Sequence, residues 1–139
     1  MSPRRFIYSR SPWEKMAGHC RAVVDGRWVL VSGTVGYDAR AARLPKGAKA
    51  QAEVALDIIG HALREAGATF FDVVRVRVYV ASRADVPMVS AVIKKRRAPV
   101  QPANTTVCAP LAVAEARVEI EVTALKRQRR ARGAARRAR

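Results

Sequence analysis

The amino-acid sequence predicts an α+β domain, a mixed β-sheet with two helices packed on one face. Three observations carry that expectation. Residues 72–80 and 117–125 alternate apolar and polar side chains, as strands with one buried face do. Residues 48–66 switch to a period near 3.6, which lays one apolar stripe along a helix. The elements follow one another as β-β-α-β-α-β-β, with room for one more strand near the N-terminus, an order that builds a sheet covered by helices.

Each element has its own local signal. Ala22–Val24 and Arg27–Val31 flank Asp25-Gly26, a pair suited to a two-residue hairpin with positive φ at both turn positions. Ser32-Gly33-Thr34 ends the second strand, and residues 36–49 are polar and turn-rich, hence a loop. In the first long helix Ala55, Ile59 and Leu63 form the apolar stripe beside Ile58 and Ala62, while Gln51, Glu53, Asp57 and Arg64 fall away from it. Gly67 stands where a helix C-cap glycine belongs. The run from Asp72 sets Val74, Val76, Val78 and Val80 against the helices, and Arg75, Arg77 and Tyr79 on the other face. Asp85 caps a second helix that tolerates Pro87 in its first turn, buries Val89, Val92 and Ile93, and stops at Pro99. Thr105–Ala109 is a short strand. The last strand turns Val118, Ile120, Val122 and Ala124 inward and Glu119, Glu121 and Thr123 outward. That half-polar face either meets water or is buried against other subunits.

A chain of 139 residues fits one domain with a modest core. Half of its residues are hydrophobic, which excludes a wholly disordered chain. No apolar run approaches the roughly 18 residues of a spanning helix, so no membrane partner is expected. The basic start lacks an apolar segment behind it, which argues against a secretory signal. Two cysteines, Cys20 and Cys108, fit a reducing cytoplasm, and Cys108 is expected to be a small buried residue. The net charge is +16, yet the final stretch, KRQRRARGAARRAR, holds eight basic residues and no acid. Half of the charge therefore lies in a tail, residues 126–139, expected to be disordered and solvated beyond a domain of residues 1–125. Arg outnumbers Lys by 21 to 6 and Ala is abundant; a G+C-rich genome produces the same bias, so the charge alone is no nucleic-acid signature.

Seven segments occur in the order and spacing of one family. They are Gly18-His19-Cys20-Arg21-Ala22-Val23, Val31-Ser32-Gly33-Thr34, Gln51-Ala52, Ala66-Gly67-Ala68, Asp72-Val73-Val74-Arg75-Val76, Pro102-Ala103-Asn104-Thr105-Thr106-Val107 and Val118-Glu119-Ile120-Glu121. On these the chain, from about Phe6 to Leu125, resembles the RidA/YjgF family. The resemblance implies a chorismate-mutase-like fold, assembled as a homotrimer whose sheets close into a barrel with the helices outside. It implies three clefts between subunits, which hold a small-molecule ligand. Members of that family hydrolyse enamines and imines such as 2-aminoacrylate to ammonia and a 2-keto acid, with no metal or cofactor. Some have been described as endoribonucleases or translation inhibitors.

The same resemblance points to site residues. Glu119 matches the glutamate that positions the attacking water by general acid–base chemistry. His19 stands where a pocket tyrosine is common, and a histidine there donates or accepts according to pH. Ser32, Gly33 and Thr106 match positions around the ligand. The family's deaminases hold the substrate carboxylate with the arginine of a Pro-Ala-Arg motif, through two parallel hydrogen bonds. Here the motif reads Pro102-Ala103-Asn104. An amide in that place weakens carboxylate binding by about 2–4 kcal/mol. Arg21 or Arg117 would have to supply the missing charge for a carboxylate substrate. The second helix also departs from the family, with Lys94-Lys95-Arg96-Arg97 where aromatics are common.

Other chemistries find less support. His19, His61, Cys20 and Cys108 show no metal-ligand spacing, and no phosphate-binding glycine pattern follows Gly33 or Gly36. A Cys20–His19 dyad is disfavoured because neighbours on a strand point to opposite faces. Cross-strand ion pairs account for Arg75, Arg77 and Glu121. The alternative function is sequence-independent nucleic-acid binding through the tail, with Arg127, Arg129, Arg130 and Arg132 as the phosphate contacts.

Overall fold

A computed structural model describes residues 2–97 and 99–128. Its elements are β1 (Arg5–Ile7), α1 (Pro12–Ala17), β2 (Ala22–Asp25), β3 (Trp28–Val35), α2 (Ala48–Glu65), β4 (Val73–Val80), α3 (Val86–Arg97), β5 (Ala103–Cys108) and β6 (Val118–Leu125). One six-stranded sheet has the order β1-β2-β3-β6-β4-β5. All pairings are antiparallel except β4 with β5, whose parallel register requires the crossover that α3 provides. The α+β class, the two main helices and the extra N-terminal strand all agree with the sequence.

The core lies between the sheet and the helices. Val29, Val31, Val76, Val78, Val80, Val118, Ile120 and Val122 meet Ala52, Ala55, Ile59 and Leu63 of α2 and Val89 and Ile93 of α3, all buried. The outer face of the sheet carries Arg75, Arg77, Tyr79, Glu119, Glu121 and Thr123, as expected, with Trp28, Leu30 and Val107 exposed beside them. Across that face Tyr79 donates its hydroxyl to Glu121 (2.9 Å), and Arg77 approaches the same carboxylate (3.7 Å). No described helix is long and apolar enough to cross a membrane.

Two bulges break the strict alternation. Between β4 and β6 the register passes from Val73↔Ala124 to Arg75↔Thr123, so Val74 is an extra residue. It is therefore 42% exposed, on neither the helix face nor the core expected for it. Between β3 and β6 the register passes from Val31↔Val122 to Thr34↔Ile120, three steps against two. Ser32-Gly33-Thr34 thus continues the strand instead of ending it, and the facing residues change from odd to even. Val31 and Thr34 both point to the core, while Val35 shares the outer face with Glu119.

Other expectations are corrected by local geometry. The β2–β3 turn consists of Gly26 and Arg27, because Asp25 pairs with Trp28. Gly26 has φ +58° and Arg27 is not in the positive-φ region, so one glycine suffices. Gln51 is buried at the first turn of α2. Its amide nitrogen donates to the Pro45 and Glu115 carbonyls (2.9 and 3.1 Å), and its oxygen accepts from the Arg117 N–H (2.7 Å). A polar side chain with three such partners belongs inside. Asp85 ends a short 3-10 turn before α3, and its carboxylate takes the Arg117 guanidinium at 2.7 Å instead of capping the helix. Cys108 is exposed, since β5 is an edge strand. The sequence reading also missed α1. Its signals were present: Ser11 accepts from the Trp13 N–H, Pro12 opens the first turn, and Gly18 closes it at φ +69°.

Candidate functional site

A cavity of about 490 Å³ opens between α1, the bulged end of β3, the loop after it, and α2. His19, Arg21, Gly33 and Glu119 line it, together with Trp13 and Tyr37. The two aromatic rings meet edge to face, with centroids 5.2 Å apart and planes at 83°. Neither aromatic was singled out from the sequence. Trp13 was hidden because α1 was missed, and Tyr37 because it lies in a loop.

The β3 bulge positions Glu119. It puts Gly33 and Val35 on the Glu119 side of the sheet, and the carboxylate lies directly over Gly33. A Cβ on Gly33 would collide with Glu119 Oε1, so this glycine serves close approach, not a turn. Among the described residues the Glu119 carboxylate makes no hydrogen bond and no ion pair. Burial holds its carboxyl above the usual carboxylate range, the neighbouring Glu121 charge adds to that, and Arg21 pulls in the opposite direction.

Arg21 has a different fate. Its side chain is 6% exposed and forms an ion pair with Glu14, which is 5% exposed, at 3.2 Å. Nη1 donates to the Gly33 carbonyl and the Thr34 hydroxyl, both at 2.9 Å, and Nε reaches Ser9 Oγ at 3.4 Å. The Ser9 N–H donates to Glu14 Oε1 at 2.8 Å, and the Ser9 hydroxyl donates to Oε2. This network anchors α1 and fixes the carbonyl at the bulge. It also leaves Arg21 with its charge neutralised and nearly all its N–H donors engaged.

The remaining expected site residues are divided. His19 borders both the cavity and a more open depression that also touches Cys20 and Ser32. His19 and Cys20 precede β2 instead of lying in it, so strand alternation does not separate them. Ser32 Oγ donates to the Cys20 carbonyl at 2.7 Å. Asn104 and Thr106 lie on the edge strand β5, away from the cavity, where the Asn104 amide donates to Thr106 Oγ1 at 3.0 Å. Arg117 is held by Asp85 and does not face the cavity. In α3, Lys94 and Lys95 are exposed, while Arg96 bridges Glu53 (2.8 Å) and Asp57 (2.6 Å) of α2. Arg127 is exposed; Arg129, Arg130 and Arg132 lie outside the described residues.

The fold and the cavity thus define a small α+β protein whose sheet end presents a half-buried carboxylate, Glu119, without a partner among the described residues. The family model described as Endoribonuclease L-PSP matches residues 10–126, and the chain belongs to this family, that of YjgF and RidA. A solved Mycobacterium tuberculosis member of the YjgF/YER057c/UK114 family is 34% identical. It superposes with a TM-score of 0.80 over 88% of this chain and 99% of that one. The 2-iminobutanoate/2-iminopropanoate deaminase of Dermatophagoides farinae is 30% identical over 87% of this chain and 95% of its own length. The protein of the same name from Capra hircus is 31% identical over 88% of this chain and 90% of its own.

Proposed function

We infer that the chain is a RidA/YjgF-type protein that binds a small nitrogenous metabolite and handles protons at the imine or amine through Glu119. The observation that supports this most directly is the unpaired carboxyl over Gly33, raised above its usual range inside a cavity of ligand size. A carboxyl in that condition exchanges protons nearer neutrality than a free one. In imine hydrolysis it would accept a proton from the attacking water and return one to the departing nitrogen, giving a carbonyl and ammonia. The edge position of β5 suits assembly as a homotrimer, in which a neighbour's Asn104 and Thr106 would complete the cleft.

The substitution at Asn104 makes 2-imino acids poor substrates in this reading, because Arg21 is committed to Glu14 and Arg117 to Asp85. Freshly generated 2-iminopropanoate tests it. Asn104→Arg should hydrolyse the imine faster than the native protein, and a rate for that variant equal to the buffer blank would remove the hydrolytic reading. A second reading, sequence-independent nucleic-acid retention through residues 126–139, draws on their charge and on the family's description. Truncation after Leu125 should then abolish retention at moderate salt.

A further inference from the structure

We propose that the cavity selects an organic cation, an ammonium or iminium compound without an α-carboxylate, with its charge against Glu119 and its apolar part against Trp13 and Tyr37. The inference rests on the cavity being the ligand site, and it names the ligand's charge. The charged groups that face the space have different fates. Arg21 is neutralised by the buried Glu14 at 3.2 Å. Asp57 is paired with Arg96 at 2.6 Å. Asp38 accepts the backbone N–H groups of Arg40 and Ala41 at 2.9 and 3.2 Å, closing its own loop. Arg10 and Arg40 are exposed at the rim, where water and salt screen them. Among the carboxylates and guanidinium groups that face the interior, the one left without a partner among the described residues is therefore Glu119. The His19 imidazole also lines the space and makes no side-chain hydrogen bond to a described residue.

A desolvated carboxylate attracts a cation and repels an anion far more strongly than an exposed one does. The aromatic pair adds apolar surface for the rest of the ligand, and a ring face is also favourable to any cation that comes within about 6 Å of it. An incoming carboxylate would meet Glu119 and find no free guanidinium in the interior. An imine that is protonated at nitrogen and carries no acid group would meet complementary charge.

Three probes that share one five-membered ring test this on the intact native protein: pyrrolidine as a cation, cyclopentanecarboxylate as an anion and proline as a zwitterion. Their dissociation constants at neutral pH would be measured by calorimetry or ligand-observed NMR. Pyrrolidine should bind at least about tenfold more tightly than cyclopentanecarboxylate, and proline no more tightly than pyrrolidine. Glu119→Gln should cost about tenfold in pyrrolidine affinity. Cyclopentanecarboxylate binding as tightly as pyrrolidine, or proline binding more tightly, would overturn the proposal, since either requires a cation available to the ligand. The native ranking decides even where the variant folds poorly. If that ranking fails while Asn104→Arg still hydrolyses 2-iminopropanoate, only the charge assignment falls. If no probe binds and that variant is inert, the cleft reading falls with it.

Discussion

Two carboxylates, Glu119 on the cavity wall and Glu14 behind it on α1, have opposite surroundings. Glu14 is buried, paired with Arg21 and hydrogen-bonded by Ser9. Glu119 is half-buried and accepts nothing from the described residues. A buried charge that is fully matched does structural work and has no capacity left for a ligand. A partly buried charge that is unmatched raises the energy of the free protein slightly and is available to whatever enters. The contrast separates the residue that shapes the site from the one proposed to meet the ligand.

The largest effect should come from breaking the matched pair. Arg21→Met leaves Glu14 buried without compensation and should cost about 3–5 kcal/mol in urea unfolding. Adding Glu14→Met should recover much of that loss. A double variant no more stable than the single would mean that the two do not act as a pair. Gly33→Ala should do the reverse: a stability change of less than about 1 kcal/mol, because only the far end of one side chain must move. Yet ligand affinity should fall about tenfold as the carboxylate is displaced. Unchanged affinity would show that the position over Gly33 is not the one used.

The smallest effect concerns pH. The raised carboxyl of Glu119 means that the folded protein binds its proton more tightly than the unfolded chain does. Stability should therefore fall as pH rises from the ordinary carboxylate range through the raised folded value, and the penalty should persist above it. Glu119→Gln should flatten this part of the melting-temperature profile relative to the native protein. Parallel profiles would place the titrating group elsewhere.

Much of the sheet was legible from side-chain alternation, since Val118 to Leu125 keep strict period 2 along the whole strand. The stripe of α2 was equally plain in Ala55, Ile59 and Leu63. What alternation cannot carry is an inserted residue. Val74 and Gly33 both sit at bulges, and a bulge is decided by pairing between strands distant in sequence. Gln51 misled for a related reason: its three partners come from residues 45, 115 and 117, which no local window contains. In the site, the family pattern led to Glu119, Gly33 and His19. It did not reveal that Arg21 is sealed by Glu14, because that pairing depends on where a six-residue helix folds back.

Gln51 has a mechanical meaning as well. One amide clasps the loop before α2, the first turn of α2 and the segment entering β6. Opening any one of them breaks bonds in the other two, so the three should open cooperatively. In hydrogen exchange the Arg117 amide, which Gln51 protects, then reports on a unit that includes the start of α2. The segment leading into the strand of Glu119 is thereby as steady as the helix, although it has the sequence of a loop.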